Sequence, residues 1–256
     1  MTSYPSYAIP TSKRSLLIEK QIVHPDIVVH SGIPEVDGLL RGFKTSELTF
    51  VNGSSDLVAE IPCRLCVHTY RTFQGDTLYI DGGMTADPHT IAHYARRMEV
   101  DQREVLNHIH ITRAFTVYQL STLIQKTLEP LIKQCSPTTV LIGMLPSLYL
   151  DTEVPYREAQ MLLEKDLRKL HELTMAYNLI TVCTYQDHTL LSNYRRIRTI
   201  LHSQVDEIVR LRHIERSLYV RLVKQQKEIT VDLVDRGQLR LDDFGMIVST
   251  SESWKL

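Results

Sequence analysis

The sequence predicts an α/β fold with a mainly parallel, twisted sheet flanked by helices and a C-terminal antiparallel meander. Two observations predict it. Short apolar segments typical of buried strands alternate with helix-length segments, an order that gives parallel strands covered on both faces. After residue 205, three strand patterns follow one another closely. The first group of strands is expected at 48–51, 77–80, 108–112, 139–142 and 179–185, and the meander at 208–213, 218–224 and 229–233.

Each region has a local reason for its assignment. Prolines at positions 5, 10 and 25 discourage a long helix in the Ser-, Tyr- and Pro-rich N-terminal segment. A helix over 156–177 is indicated by apolar residues that recur on one face, after a proline at its start. In the meander, apolar and polar residues alternate. The helix face comprises Ala159, Leu163, Leu167 and Leu170, and the inward residues of the second meander strand are Leu218, Val220 and Leu222.

Length and composition limit the possible classes of protein. The chain has 256 residues, 43% of them hydrophobic, which is enough for one sizeable core. We expect an N-terminal tail over 1–29 and one core domain over 30–256. The net charge of −1 means that any nucleic-acid contact needs a local basic patch. No apolar run approaches the ~18 residues of a membrane span, and the polar N terminus lacks a signal-peptide core. These features predict a cytoplasmic protein without membrane contact, or a nuclear one in a eukaryote.

Residues 47–64 have the layout of a strand, a phosphate-binding loop and a helix, but not the chemistry of that loop. A working P-loop reads G-x-x-x-x-G-K-[ST], with backbone amides and lysine on the phosphates and a hydroxyl on magnesium. Counted from Gly53, the later motif positions are occupied by Val58, Ala59 and Glu60. Asp56 and Glu60 would repel a polyphosphate, and no cation replaces the lysine. No nucleotide site and no cofactor are expected here. The alternative to a degenerate P-loop is an ordinary strand–turn–helix of an α/β domain.

Residues 31–42, SGIPEVDGLLRG, lie shortly before this strand. They resemble the segment that precedes the P-loop strand in the RecA/RadA/KaiC-type ATPase core, with archaeal-type RadA recombinases the nearest match. The resemblance continues in order through YID at 79–81, NHIHITRAF at 107–115, VLIGMLPSLYLD at 140–151 and the segment 177–186. It covers roughly residues 28 to 245. It implies a RecA-like sheet, with the meander at its C-terminal end.

Three positions depart from the family's catalytic pattern. The Walker B aspartate that positions magnesium falls at Gly143. The catalytic glutamate, two residues after Asp81, falls at Gly83, and the P-loop lysine falls at Ala59. Phosphoryl transfer in this family's manner needs all three groups. We therefore expect a pseudo-ATPase with degenerate Walker A and Walker B motifs and no catalytic residues.

The family's second DNA-binding loop corresponds to residues 187–204. The candidate DNA-binding residues there are Asn193, Tyr194, Arg195, Arg196 and Arg198. Guanidinium groups can bind phosphates and an aromatic ring can stack on a base, as in sequence-tolerant single-strand binders. The alternative is a helical connection in which Leu190, Leu191, Ile197 and Leu201 pack on the core.

Three other segments correspond to functional regions of the family. The first DNA loop falls at 147–157, where Asp151 and Glu153 make phosphate binding unfavourable. Gln186 matches the glutamine that senses the γ-phosphate, and with no phosphate to sense we expect it to form a hydrogen bond at its strand end. A second basic stripe comprises Arg210, Arg212, His213 and Arg216, which we expect to be charges on a solvated sheet edge.

Partner binding is predicted for the N-terminal segment. In RadA-like recombinases, a linker with an aromatic residue and an alanine adds to the sheet of the neighbouring subunit. Tyr4, Tyr7 and Ala8 fit such strand addition. The alternative is a tail that packs on its own domain or is disordered.

No metal site is expected from sequence spacing. Cys63 and Cys66 form C-x-x-C, but without a second pair they are expected to pack on a helix face, while Cys135 and Cys183 are isolated. His89 and His93 lack the glutamate of a zinc protease helix.

The resemblance implies a catalytically inactive RadA paralogue that acts as an accessory or mediator in homologous recombination and DNA repair. Its expected partners are single-stranded DNA and a RadA-type recombinase or another paralogue. Further copies of the same chain, in a homo-oligomer, are a third expected partner. One alternative is a KaiC-like interaction or assembly subunit without a DNA role. Another is a divergent nucleotide-binding regulator that uses other residues.

Overall fold

The computed structural model describes residues 27–186 and 193–232, and its centre is an eight-stranded sheet. The described residues contain ten strands in all: β1 (Val28–Val29), β2 (Phe43–Lys44), β3 (Glu47–Gly53), β4 (Thr77–Asp81), β5 (Ile109–Arg113), β6 (Thr139–Gly143), β7 (Ile180–Tyr185), β8 (Glu207–Ile214), β9 (Ser217–Leu222) and β10 (Lys227–Asp232). The order in the large sheet is β10-β9-β8-β3-β7-β6-β4-β5, while β1 and β2 form a separate pair. The six strands from β8 to β5 are parallel, and β9 and β10 are antiparallel. The predicted fold class is confirmed.

Eight α-helices connect these strands within the described residues, besides a π-helical turn (Leu123–Thr127) and a 3-10 turn (Ser147–Leu150). They are α1 (Pro34–Leu40), α2 (Leu57–Phe73), α3 (Pro88–Arg97), α4 (Gln102–Asn107), α5 (Val117–Thr122), α6 (Leu128–Cys135), α7 (Tyr156–Ala176) and α8 (Arg195–Gln204). Local sequence explains several helix starts. Asp87 and Asp101 accept hydrogen bonds from the first free amides of α3 and α4, which is typical of N-cap residues. Proline occupies the first turn of α1 and α3, where no donor is lost.

The sheet separates two apolar cores. Helices α1 to α4 cover one face, and α5 to α8 cover the other. The predicted face of α7 is buried, with Ala159, Leu163 and Leu167 fully inaccessible to solvent. Cys63 and Cys66 are buried on α2, so they pack as expected. Burial raises the pKa of the Cys63 thiol to about 11, which keeps it protonated.

One predicted environment was wrong. Arg210 and Arg212 were expected at a solvated sheet edge, but β8 pairs with β3 on one side and β9 on the other. The edge strand of the meander is β10 instead. Both arginines are half-buried, whereas His213 and Arg216 are exposed at the β8–β9 hairpin, as expected. The error arose because the sequence does not show which strand of the meander joins the parallel sheet.

The described core begins slightly before the predicted domain boundary. Val29 is fully buried and pairs with Phe43 across β1 and β2. Tyr4, Tyr7 and Ala8 lie outside the described residues, so partner binding there stays a prediction. In the described part of the chain, no helix combines the length and the apolar character needed to cross a membrane.

Candidate functional site

The positions aligned with the family's catalytic residues lie together where the parallel strands end. Gly53 ends β3, Gly143 ends β6 and Asp81 ends β4. Asp81 and Gly143 are register partners on adjacent parallel strands. Ligands of open α/β sheets bind outside the carboxyl ends of the strands. A nucleotide would therefore be expected at these carboxyl ends of β3, β4 and β6, which we call the strand-end site.

Amides of the loop after β3 already have acceptors within the chain. The Ser54 amide donates to the Leu211 carbonyl at 3.1 Å, and the Leu57 amide donates to the Ser55 hydroxyl at 3.3 Å. The amides of Val58 and Ala59 donate to carbonyls of the same loop. In a working P-loop such groups surround phosphate oxygens. Here carbonyls of the chain and the Ser55 hydroxyl accept these four amides without a ligand.

Gly53 is required by the neighbouring strand. A Cβ atom at this position would lie 1.6 Å from the Leu211 carbonyl oxygen of β8, and the backbone φ is +155°. No side chain fits at that distance. The sheet therefore accounts for the glycine that survives from the P-loop pattern.

A hydrogen bond crosses the mouth of the loop. The Gln186 side-chain amide donates to Asp56 Oδ1 at 3.0 Å, joining the end of β7 to the loop after β3. This is the strand-end hydrogen bond expected for Gln186. In this structure the glutamine is occupied by the chain's own carboxylate.

The side chain at the magnesium-ligand position has other partners. Glu60 Oε2 accepts from Arg64 Nη2 at 2.9 Å and from Tyr94 Oη at 2.5 Å. The Arg64 guanidinium also lies over the Tyr94 ring, 4.4 Å from its centre. Burial, followed by the hydrogen bond to Glu60, raises the pKa of Tyr94 to about 12, so the phenol remains a donor. Glu60 thus joins α2 to α3.

The Walker B end of the site is filled by local side chains. A Cβ on Gly143 would lie 2.9 Å from Tyr79 Oη and 3.0 Å from Thr85 Oγ1. These two oxygens are themselves hydrogen-bonded at 3.0 Å. A Cβ on Gly83 would lie 2.4 Å from Met144 Cγ. A carboxylate at either glycine would require its neighbours to move.

The Asp81 carboxylate holds the turn that follows β4 through hydrogen bonds. Its side chain accepts hydrogen bonds from the amides of Thr85 and Ala86, each at 3.0 Å. Arg113 Nε lies 3.5 Å from Asp81 Oδ2, the oxygen that also accepts the Ala86 amide. The family aspartate at the end of β4 therefore has a structural role in this chain.

The predicted DNA-binding residues begin α8. Arg195, Arg196 and Arg198 are exposed, and Asn193 is exposed just before them. Tyr194 is only partly accessible, since its ring packs on the core and lies 5.9 Å from the Tyr156 ring. Ile197 and Leu201 are buried, as the helical-connection alternative predicted, while Leu190 and Leu191 lie outside the described residues. One helix thus has both a core face and a cationic face.

A second group of arginines lies on the sheet beside α8. Arg210 and Arg212 share one face of β8, and Arg221 of β9 is the cross-strand partner of Arg210. We call these three residues the arginine cluster. Burial, followed by the charges of Arg212 and Arg221, lowers the pKa of Arg210 below its ordinary value, and Arg198 acts in the same direction. The buried Arg210 Nε has no hydrogen-bond partner among the described residues.

Nearby groups show that the positive field extends to α8. Burial, followed by the charges of Arg210 and Arg198, lowers the pKa of His202. Glu228 provides a partial counter-charge, with its Oε2 3.7 Å from Arg221 Nε. The sequence predicted a basic stripe with Arg210 and Arg212 but did not include Arg221, and the missed signal was the alternation of arginine with apolar residues in both strands.

Comparisons with known proteins agree with this architecture. A family model described as Rad51 matches residues 25–194, about two thirds of the chain. A search of curated proteins found no match. The matched region includes the strand-end site and ends at Tyr194, directly before α8. The chain belongs to the Rad51 family of RecA-like recombinases, which links it to DNA recombination and repair.

Proposed function

We propose that this Rad51-family protein is a DNA-binding accessory factor of homologous recombination that neither binds nor hydrolyses ATP. It would bind single-stranded DNA together with a recombinase of the same family or a sister paralogue. Its conformation would be independent of nucleotide, because a ligand shifts a protein between states only if it binds them differently.

The arginine cluster is the observation that carries DNA binding. Arg210 and Arg221 are cross-strand partners, Arg212 lies two residues further along the same face of β8, and Arg198 adds to the same positive field. A phosphate backbone supplies the anionic groups that favour such an arrangement, since guanidinium groups bind phosphate oxygens in a fixed fork geometry. The exposed arginines at the start of α8 extend the basic surface along one side of the molecule.

The filled strand-end site supports the lack of ATP turnover. The P-loop lysine is replaced by Ala59, the Walker B aspartate by Gly143 and the catalytic glutamate by Gly83. The chain's own contacts also occupy the region, through the Gln186–Asp56 hydrogen bond and the Tyr79–Thr85 pair. A nucleotide would have to displace these contacts without the charges that normally offset that displacement.

Fluorescence anisotropy with a labelled single-stranded oligonucleotide tests DNA binding. We expect the wild type to bind without ATP and its affinity to fall as salt rises. Replacing Arg195, Arg196 and Arg198 together by glutamine is expected to lower the log–log salt slope by about 2, at roughly 0.7 per phosphate contact. The double change Arg210→Gln and Arg212→Gln is expected to weaken binding as well.

The matched control replaces Arg96, Arg97 and Arg103, which are exposed on α3 and on α4 on the opposite face of the sheet. This control removes the same charge and should keep wild-type affinity. Equal loss in the control would indicate non-specific attraction. No binding by the wild type would contradict the DNA role and favour a KaiC-like assembly subunit, for which a stable partner outside the recombinases would be the supporting observation.

Thermal unfolding with and without magnesium and ATP tests the second half of the proposal. We expect no change in Tm at millimolar ATP. A ligand present at 100 times its Kd would stabilise the native state by about 2.7 kcal/mol, which raises Tm by about 5–10 °C in a protein of this size. Such a rise would instead support a divergent nucleotide-binding regulator.

A further inference from the structure

A second group of polar side chains lies at the opposite end of the sheet from the strand-end site. Asp76 directly precedes β4, His110 lies near the start of β5, and Cys135 is the last residue of α6. One ligand atom from each of these three residues lies within 4.8 Å of the other two. His108, one residue before β5, is hydrogen-bonded to the same aspartate. We call these four residues the amino-edge cluster.

Strand geometry explains why the residues meet. His108 is the C-cap of α4, with φ −95° and ψ 11°, and His110 lies in β5, yet both side chains reach the same carboxylate. Adjacent β4 places Leu78 opposite His110, which puts the residue just before β4 beside both histidines. Gly75 allows the turn before β4 to approach Thr138 closely, because a Cβ there would lie 2.2 Å from Thr138 Oγ1. That approach brings the turn next to the end of α6.

The side chains are already held in position. Asp76 Oδ1 is 2.5 Å from His108 Nδ1, and Asp76 Oδ2 is 3.0 Å from His110 Nε2. The Tyr70 ring lies 4.9 Å from the His108 ring. Asp76, His108 and Cys135 are partly accessible and His110 is exposed. An ion can therefore reach the cluster directly from solvent.

We propose that the amino-edge cluster binds Zn²⁺ through Cys135 Sγ, His110 Nε2 and one oxygen of Asp76. Thiolate, imidazole and carboxylate are the three ligand types that zinc takes in proteins, at about 2.0–2.3 Å. Ligand atoms around a tetrahedral zinc ion are then roughly 3.2–3.8 Å apart. The three ligand atoms lie within 4.8 Å of one another, so binding draws the widest pair together by up to about 1.6 Å, and a water molecule completes the tetrahedron.

The proton balance of binding is simple. The Cys135 thiol releases its proton to solvent and binds as thiolate, while His110 binds as neutral imidazole with its proton on Nδ1. The hydrogen bond between His110 and Asp76 is replaced by two bonds to the metal. His108 is a positioning residue, because its hydrogen bond to Asp76 orients the carboxylate from outside the ligand set.

The zinc ion would join α6 to the β4–β5 edge of the sheet. It lies at the amino ends of the strands, away from the arginine cluster and from the nucleotide-site positions. The inference therefore does not depend on the proposed DNA-binding function, and the two can fail separately.

Metal titration of the purified full-length chain tests the proposal. We expect one equivalent of Zn²⁺ to bind, and Co²⁺ in its place to give the near-ultraviolet charge-transfer band of a cobalt–thiolate bond. Cys135→Ala should abolish that band, and His110→Asn should weaken binding at least tenfold. His108→Asn should weaken it by about 10- to 100-fold with the thiolate band retained, as expected for a residue that orients a ligand. His93→Asn, an exposed histidine on α3, is the control and should bind like the wild type.

Thiol protection gives a readout that needs no variant. Cys63, Cys66 and Cys183 are buried, whereas Cys135 is partly accessible. Alkylation of the native protein should therefore label Cys135 first, and Zn²⁺ should slow that labelling. Unchanged labelling with Zn²⁺, a cobalt band that persists in Cys135→Ala, or no stoichiometric binding by the wild type would each overturn the proposal.

Discussion

Replacing Gly53 by alanine is expected to destabilise the protein by more than about 4 kcal/mol, a loss seen only for severe changes. The added Cβ would lie 1.6 Å from the Leu211 carbonyl oxygen, which belongs to the backbone of β8. Relief of this overlap requires β3 and β8 to separate at the centre of the sheet. The pairing of β3 with β8 connects the meander to the other parallel strands, so its loss should affect the whole fold. Urea unfolding followed by circular dichroism measures the change.

Gly38→Ala is the matched control for this experiment. Gly38 lies within α1, and nothing is within 4 Å of the position that its Cβ would take. Alanine has the better helix propensity, so this variant should be as stable as the wild type or up to about 1 kcal/mol more stable. If Gly53→Ala lost no more stability than this control, the close approach of β8 would not be the reason for the glycine.

Removing the Asp166 carboxylate is expected to destabilise the protein by about 3 kcal/mol. This side chain is inaccessible to solvent on α7 and accepts hydrogen bonds from Tyr149 Oη at 2.7 Å and Ser121 Oγ at 3.0 Å. The Gln125 amide donates to it at 2.8 Å. Asp166→Ala leaves buried donors without an acceptor, and each such donor costs about 1–3 kcal/mol. Urea midpoints at neutral pH measure the loss, and a change below about 1 kcal/mol would contradict this account.

Asp166→Asn separates the hydrogen bonds from the charge. Burial raises the pKa of Asp166 above its ordinary value of 3.8, although hydrogen bonds from Tyr149, Gln125 and Ser121 act in the opposite direction. Because the folded pKa is the higher one, the native state binds more protons than the unfolded state between the two values. The contribution of Asp166 to stability is thus full below the unfolded pKa and is lost as pH rises through the folded pKa.

Asparagine has a similar shape and no charge, so this pH-dependent loss should be absent from the variant. The stability of Asp166→Asn relative to wild type should increase as pH rises from about 3 to neutral. Comparing the two proteins at each pH cancels the titration of all other carboxyl groups. A difference that stays constant with pH would indicate that Asp166 has the same pKa in both states.

Much of the fold follows from local sequence patterns. The helix expected over 156–177 is α7, Tyr156–Ala176, and the strand expected over 139–142 is β6, Thr139–Gly143. These elements were predictable because periodicity and β-branched residues act over a few positions. The strand-end site was also located by counting, since Gly53 and Gly143 end β3 and β6 as the resemblance implied.

The contents of the site were less predictable. Sequence alignment identified which functional groups are missing, but not that the Tyr79 phenol and Thr85 hydroxyl fill the space beside Gly143. Nor did it show that Gln186 reaches Asp56, 130 positions away. Such contacts depend on which strands are neighbours, and strand order is a property of the folded sheet.

The amino-acid sequence alone determined the α/β class and the absence of the P-loop lysine, since both depend on residue types and short spacings. The tertiary structure decided where the remaining charges meet. The order β9-β8-β3 places Arg221 beside Arg210 in the interior of the sheet, and the pairing of β4 with β5 brings Asp76 to His108 and His110. Packing of α6 against the sheet then adds Cys135. These groups are far apart along the chain, and the burial of apolar side chains on both faces of the sheet holds them together.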